Sequence, residues 1–157
     1  MTFGDNSHSP PPALAFTLNP GMVPHPMHLT LLKSKIHRAT VTGASLHYEG
    51  SITISEDLAE VVGLRPYEKV LIGNMANGER FETYVIYGER GTRQIQLNGA
   101  TSHLGKIGDR LTIMNFASYA ADEADKHKPM VIVLNEKNEI VRSEGGSASI
   151  SKLQVVA

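Results

Sequence analysis

The clearest structural signal in the chain is the segment VLIGNMANGERFETYVI, residues 70–86. Two runs rich in strand-forming residues, Val70-Leu71-Ile72 and residues 80–86, flank the dipeptide Asn77-Gly78. An Asn-Gly step between two such runs is typical of a β-hairpin, because both residues tolerate positive φ. The segment therefore predicts a pair of antiparallel strands and, with them, a mainly β chain.

Further short strands are predicted on both sides of this hairpin. Ser51-Ile52-Thr53-Ile54 alternates strictly between polar and apolar residues, as a half-buried strand does. Extended chain is also predicted at residues 29–40, with a change of register near residues 33–35, and at residues 93–97, 111–116, 130–134 and 153–155. Many short strands at close spacing favour a small closed barrel, because closure removes exposed sheet edges.

Two short helices are predicted among these strands. Ser55 is placed to cap the first helix, whose first turn carries acidic residues that favour its positive end. Gly63 and Pro66 are expected to end that helix. The second short helix is predicted over residues 117–128.

Composition excludes several classes of function. The chain has 157 residues, with 15 Lys and Arg against 16 Asp and Glu, and a formal net charge of −1. This balance argues against a basic nucleic-acid binder and against a polybasic membrane anchor. The absence of cysteine excludes disulfides, a thiolate nucleophile and a Cys-ligated metal. The histidines lack metal-ligand spacing, and no apolar run approaches the roughly 20 residues that cross a bilayer.

The first 26 residues differ in composition from the rest of the chain. Six of the eight prolines lie there, and this stretch has neither the basic start nor the apolar region of a secretory signal. Two interpretations stay open: residues 1–26 are a Pro-rich disordered extension, or translation begins at Met27. Under either interpretation the barrel domain is placed at residues 27–157.

Several separated motifs resemble the aspartate 1-decarboxylase family, whose members are pyruvoyl-dependent enzymes of pantothenate synthesis. The motifs are KIHRATVT (35–42), LHYEGS (46–51), NGERFETY (77–84), ERG (89–91), NGA (98–100), GD (108–109) and QVVA (154–157). Taken alone, a Gly-Ser pair such as Gly50-Ser51 is typical of a turn, but the shared order of all these motifs outweighs that interpretation. The resemblance implies a cytoplasmic homotetramer of double-psi β-barrels with short helices.

The same resemblance implies a zymogen that cleaves itself between Gly50 and Ser51, giving a small β chain (27–50) and a large α chain (51–157). The Ser51 hydroxyl attacks the Gly50 carbonyl to form an ester, and β-elimination leaves a dehydroalanine that hydrolyses to a pyruvoyl group and ammonia. Thr83 matches the residue that stabilises the oxyanion of this rearrangement. Some family members need a helper protein for cleavage. The implied cofactor is this pyruvoyl group, without metal or pyridoxal phosphate.

For catalysis, the resemblance implies a Schiff base between the pyruvoyl ketone and L-aspartate, with the adjacent amide carbonyl as electron sink. Loss of CO2 then gives β-alanine, and Tyr84 matches the proton donor. Arg80 and Lys35 provide the cations for an acidic substrate. The other implied substrate-binding residues are Thr83, Asn98, Gly99, Ala100 and Thr101.

Two sites depart from the family pattern. Gly73 stands where enteric-bacterial members carry Trp, and Thr101-Ser102 replaces what is often a pair of alanines. Two alternative functions stay open: a pyruvoyl decarboxylase for another small acidic amino acid such as glutamate, and an uncleaved, non-catalytic barrel that acts as a binding module. The binding module is disfavoured because a non-catalytic barrel needs no cleavable Gly-Ser bond. It would also not need Arg80, Thr83 and Tyr84, which accompany that bond here.

Overall fold

The computed structural model describes residues 27–145. The predicted extension at 1–26, the predicted strand at 153–155 and the QVVA motif lie outside the described residues. No helix within residues 27–145 has the length and apolar character that a membrane crossing requires.

The described part of the chain is mainly β, with nine strands and three short helices. The strands are β1 (His28–Thr40), β2 (Gly43–Ser45), β3 (Ile52–Ser55), β4 (Lys69–Asn74), β5 (Arg80–Gly88), β6 (Ile95–Asn98), β7 (Arg110–Ala120), β8 (Met130–Leu134) and β9 (Ile140–Glu144). The helices are α1 (Glu56–Val61), a 3₁₀ helix (Gly99–His103) and α2 (Ala121–Ala124). This content confirms that the fold is mainly β with short helices, as predicted.

The predicted hairpin is present as β4 and β5. The two strands pair antiparallel, from Lys69 opposite Tyr84 to Gly73 opposite Arg80. Of the Asn-Gly pair, Gly78 alone has a positive φ, 79°. The reason is that the connection spans residues 75–79 rather than the two residues of the tightest hairpin turn, so only one left-handed residue is needed.

Strand β1 joins two parts of the sheet. It pairs antiparallel with β7 and parallel with β8, and its register shifts between Leu32 and Ser34. This shift confirms the change of register predicted near residues 33–35. A second shift lies between His37 and Ala39, where Arg38 has a φ of 64°, as expected for a β-bulge.

Three local expectations were wrong, each because tertiary contacts override local sequence preference. Strand β3 is buried along its whole length rather than on one face, since it lies between β5 and β6. Residues 117–120 continue β7, because they pair with the first residues of β1, and only α2 remains of the predicted helix. Ser55 precedes α1 as predicted, but its hydroxyl is buried without a partner and does not cap the helix.

The strands form one sheet in the order β2-β6-β3-β5-β4-β7-β1-β8-β9. This order has two ends, so the predicted closed barrel is not present as a complete ring of paired strands. However, β1 and β2 follow one another in the sequence, although β1 is the seventh strand and β2 the first strand in the order of the sheet. Three Cα steps from Thr40 to Gly43 span at most about 11 Å, whereas six strand spacings in a flat sheet span about 29 Å. The sheet is therefore strongly curled.

The curled sheet encloses an apolar core. Its largest fully buried side chains are Ile36, Ile52, Ile54, Leu58, Ile72, Ile95, Leu97, Leu111, Ile113, Ile132, Leu134 and Ile140. They come from most of the strands and from α1, so the residues that follow or precede these core positions are held rigidly. Ser51 and Asn98 are such neighbours.

Candidate active site

Ser51 lies in a strained and buried backbone segment directly before β3. Its side chain and backbone are only 1% exposed. Its φ is 96°, a value that residues other than glycine rarely adopt, and the preceding Gly50 has a φ of 105°. Such a conformation costs on the order of 1–3 kcal/mol and persists only where the surroundings hold it. The Gly50-Ser51 link is therefore held in place by its neighbours.

Asn98 is the main side chain that holds Ser51. Strands β3 and β6 pair with Ile52 opposite Leu97, which places Asn98 beside Ser51. The Asn98 Nδ2 atom donates to Ser51 Oγ at 3.0 Å and to Thr53 Oγ1 at 2.8 Å. Gln96 Nε2 donates to Asn98 Oδ1 at 2.8 Å, which fixes the orientation of the amide. The Ser51 hydroxyl is thus positioned by a fully partnered amide.

The carbonyl oxygen of Ser51 accepts two hydrogen bonds. The backbone N–H of Asn98 donates to it at 3.1 Å, and Thr101 Oγ1 lies 3.2 Å away on the first turn of the 3₁₀ helix. An α-keto amide made from Ser51 would keep this carbonyl, so the donors present fit a pyruvoyl group at residue 51. Among the described residues, no group of three His, Cys, Asp or Glu side chains could hold a metal ion.

Gly99 packs against the chain that leads into the Gly50-Ser51 bond. Its φ is 59°, and a Cβ atom at this position would lie 2.7 Å from the Tyr48 carbonyl oxygen and 2.8 Å from the Gly50 nitrogen. Both distances are far below van der Waals contact. Glycine is therefore required at residue 99 for the close approach of two backbone segments.

The change Gly99→Ala is expected to slow cleavage at Gly50-Ser51 by at least about tenfold, equivalent to about 1.4 kcal/mol in the barrier. The added methyl group must displace Gly50, which moves the carbonyl away from Ser51 Oγ. Gly91→Ala is the matched control, since Gly91 has a φ of 80° but no atom within 4 Å of the added Cβ. Denaturing electrophoresis of freshly made protein over time measures both rates. Equal rates for the two variants would contradict this role of Gly99.

Lys35 and Arg80, the two predicted substrate cations, line one cavity of about 330 Å³. Lys35 comes from β1 and Arg80 from the first position of β5. Gly73 lies opposite Arg80 in the hairpin, and a Cβ at residue 73 would already be 3.9 Å from Arg80 Nη2. Because glycine stands here in place of a large side chain, the space beside the Arg80 guanidinium stays open.

Thr83 and Tyr84 occupy successive positions of β5. Strands β3 and β5 pair in parallel, with Ile52 opposite Val85. Tyr84 directly precedes Val85 on β5, and Ser51 directly precedes Ile52 before β3. Side chains alternate along a strand, and Tyr84 shares its face with Arg80 while Thr83 points to the other face. Tyr84 is 38% exposed, so a substrate can reach it from solvent.

The predicted site residues therefore fall into two groups. Ser51, Asn98 and Thr101 are joined by hydrogen bonds, and Gly50 and Gly99 are in close contact with one another. Lys35 and Arg80 meet in the separate cavity, with Tyr84 on the face of Arg80. Ala100 is exposed at the start of the 3₁₀ helix. Within residues 27–145, no hydrogen bond links the two groups.

His37 lies next to the cation cavity on β1. Its Nδ1 atom is 3.1 Å from Thr112 Oγ1. Burial lowers the pKa of His37 from its ordinary value, and the nearby charges of Lys35 and Arg38 lower this pKa further. The ring is consequently neutral at pH 7 and adds no third positive charge beside Lys35.

Gln96 and Thr53 belong to the site although sequence analysis did not identify them. Thr53 lies two residues after Ser51, and Gln96 lies two residues before Asn98. The two strands pair with Thr53 opposite Gln96. Polar residues alternate along both strands, and this pattern is visible in the sequence. It identifies Thr53 and Gln96 as site residues only once the two strands are known to be neighbours.

Comparison with known proteins shows the family. A family model described as aspartate decarboxylase matches residues 27–141. The aspartate 1-decarboxylase of Desulfotalea psychrophila is 52% identical over 110 residues, which cover 70% of this chain and 92% of that one. That of Chloroherpeton thalassium is 53% identical over 112 residues (71% and 82%), and that of Bacillus licheniformis is 52% identical over 114 residues (73% and 90%).

The mainly β fold, the donors around Ser51 and these matches define a class, the carboxy-lyases that carry a covalent pyruvoyl group. Within that class, this chain belongs to the aspartate decarboxylase family. The sequence resemblance stated above is thereby confirmed.

Proposed function

We propose that this chain converts L-aspartate to β-alanine and CO2 with a pyruvoyl group made from its own Ser51, and that the β-alanine serves pantothenate synthesis in the cytoplasm. The observation that carries the proposal is the strained Ser51, whose hydroxyl is held by Asn98 in a member of the aspartate decarboxylase family. The pyruvoyl group supplies an electrophilic carbonyl for the substrate amine and an electron sink for decarboxylation.

Self-cleavage begins at the Gly50-Ser51 bond. Ser51 Oγ attacks the Gly50 carbonyl carbon, the amide C–N bond breaks, and the nitrogen takes up the proton that Oγ loses and becomes a free amine. The Ser51 Cα–H bond and then the Cβ–O bond break, so Gly50 leaves as a carboxylate. Water converts the remaining dehydroalanine to the α-keto group and releases ammonia. The products are the chains that end at Gly50 and begin at residue 51.

The local structure supports each part of this cleavage. Gly50 presents a carbonyl without a side chain, and the positive φ of Ser51 stores strain that cleavage releases. Asn98 holds Ser51 Oγ in place. Thr83 keeps its proposed role as the donor to the oxyanion of the ester-forming step, a role that rests on the family match.

The cavity that Lys35 and Arg80 share supports binding of a dicarboxylic amino acid. The Arg80 guanidinium can hold a carboxylate with two parallel hydrogen bonds, and Lys35 adds a second positive charge. Tyr84, on the face of Arg80, is the proposed donor of the proton that replaces the lost carboxylate. The loop from Asn98 to Thr101 is proposed to contact the substrate as well, a role that rests on the family match.

Competition between L-aspartate and L-glutamate tests the substrate class. Because the two cations are fixed on strands of one sheet, we expect aspartate to be preferred by about 10–200-fold in kcat/KM, the usual value of one methylene group. Release of labelled CO2 from each substrate measures the ratio, and L-alanine serves as the control without a side-chain carboxylate. Equal or greater release from glutamate would favour the alternative substrate.

We also propose that the curled sheet closes as a double-psi β-barrel and that four processed copies assemble. The short β1–β2 connection supports closure. Assembly as a tetramer is proposed from the family resemblance, and it would bring copies of the chain into contact. Exposed Leu29 and Phe116 at the ends of β1 and β7 provide apolar surface for such contacts. A maturation helper protein is proposed from the family resemblance alone.

A further inference from the structure

The carbonyl oxygen of Ser51 has two donors, and one of them is a side-chain hydroxyl. Thr101 Oγ1 is 3.2 Å from this oxygen, and the Asn98 N–H donates to it at 3.1 Å. Thr101 is 8% exposed and Asn98 is 0% exposed, so both donors act away from bulk water. Alanine often stands at the position of Thr101 in the family, and it would leave only the backbone donor.

We propose that the Thr101 hydroxyl and the Asn98 N–H together stabilise negative charge on the carbonyl oxygen of residue 51, which makes Thr101 a further catalytic residue. This inference rests on the proposed function, because it requires residue 51 to react. It assigns Thr101 to the reacting carbonyl rather than only to the wall of the substrate pocket.

This oxygen receives negative charge in two different steps. During processing, the Ser51 Cα–H bond breaks, a solvent base takes the proton, and the electron pair spreads onto the adjacent carbonyl oxygen until the Cβ–O bond breaks. During turnover, a pyruvoyl group at residue 51 would accept, through this same carbonyl oxygen, the electron pair that remains when the bond from the substrate's α-carbon to its carboxylate breaks and CO2 leaves. The pair returns to the substrate carbon when Tyr84 donates its proton. One donor pair thus serves both reactions.

The hydroxyl proton of Thr101 has two acceptors, which makes its contribution depend on charge. Thr101 Oγ1 is 2.9 Å from the Asn98 carbonyl oxygen and 3.2 Å from that of Ser51. While both carbonyls are neutral, the shorter contact is preferred. Charge on the Ser51 oxygen attracts the proton, because charge-assisted hydrogen bonds are the stronger ones. The bond therefore strengthens in the transition state, which is the condition for catalysis.

Electrostatic stabilisation requires that the hydroxyl be in place before charge develops. The Asn98 N–H also donates to Thr101 Oγ1 at 3.0 Å, and this fixes the oxygen beside the Ser51 carbonyl. The neighbouring Ser102 hydroxyl is different, because it donates to the Gly99 carbonyl oxygen at 2.7 Å. Ser102 is therefore a matched control for removing a hydroxyl from the same loop.

The test compares Thr101→Val, which keeps the shape and removes the hydroxyl, with Thr101→Ser and Ser102→Ala. Freshly synthesised full-length chain is sampled over time, and hydroxylamine cleaves the ester form so that mass analysis counts it separately from the elimination product. We expect the Thr101→Val chain to accumulate the ester, because its β-elimination is about tenfold slower. This effect is smaller than the 10²–10³-fold that is usual for loss of one oxyanion donor, because the Asn98 amide remains. Thr101→Ser and Ser102→Ala should follow the unmodified chain.

Steady-state kinetics on the fully processed protein provide the second measurement. A role at the reacting carbonyl lowers kcat of Thr101→Val about tenfold and leaves KM unchanged. If Thr101→Val does not fold, Thr101→Ala is compared with Thr101→Ser in its place, with the same expected difference. Elimination and kcat equal to those of the unmodified chain would overturn the inference, as would slower ester formation with normal elimination. Failure of the unmodified chain to cleave at all would instead contradict the proposed function.

Discussion

Replacing Ser51 with alanine leaves the polypeptide uncut and without decarboxylase activity. The substitution removes the only atom that can attack the Gly50 carbonyl in the proposed cleavage, and with it the oxygen whose loss creates the α-keto group. Cleavage and activity are both lost completely, because the missing Ser51 Oγ atom is itself a reactant. Denaturing electrophoresis reports the cleavage, and formation of β-alanine from aspartate reports the activity.

The matched control for this variant is Ser118→Ala, which removes an exposed hydroxyl from β7. It should cleave and turn over as the unmodified chain does. Thermal unfolding of the Ser51→Ala protein shows whether the fold is kept; we expect it to be kept with a loss of about 1–3 kcal/mol, because Asn98 Nδ2 loses a buried acceptor. Normal β-alanine production by Ser51→Ala would remove the proposed mechanism.

Tyr84→Phe is expected to separate processing from turnover. The change keeps the aromatic ring on the exposed face of β5 and removes only the O–H group. Cleavage at Gly50-Ser51 should proceed, whereas kcat should fall by about 10²–10⁴-fold, the usual value of a positioned acid. Intact-mass analysis of the purified variant and steady-state CO2 release measure the two effects on the same sample.

Tyr67→Phe is the control for the loss of a phenol, since Tyr67 is 78% exposed and lies outside both groups of site residues. Its kcat should equal that of the unmodified chain. An unchanged kcat in Tyr84→Phe would show that another group returns the proton. If Tyr84→Phe instead remained uncut, the hydroxyl would act in cleavage rather than in turnover.

The elements with strong local signals were predictable from sequence. The hairpin of β4 and β5 follows from its Asn-Gly step, and α1 ends at Val61, shortly before Gly63, as expected. The register shift in β1 was visible because the apolar positions change phase near Lys33. The hairpin and the end of α1 depend on contacts close in sequence, and the phase change in β1 can be seen in the sequence itself, so local patterns suffice to predict all three.

Features that depend on distant strands were not predictable in the same way. Strand β9 has only five residues, and among the described strands it pairs only with β8. The burial of both faces of β3 follows from its two neighbours in the sheet, which alternation in one segment cannot reveal. The family resemblance identified Ser51 and Asn98 as site residues, but only the structure places Asn98 Nδ2 against Ser51 Oγ and adds Gln96 behind it.

The most direct test is the intact mass of the protein purified from its own cells. If Ser51 becomes a pyruvoyl group, we expect two polypeptides separated after Gly50. The larger one should be lighter by one ammonia than a chain that begins with a free serine. The same larger chain should gain mass with a carbonyl-trapping hydrazine. A single uncut chain, or a larger fragment that begins with unmodified serine, would contradict the claim that Ser51 becomes the catalytic group.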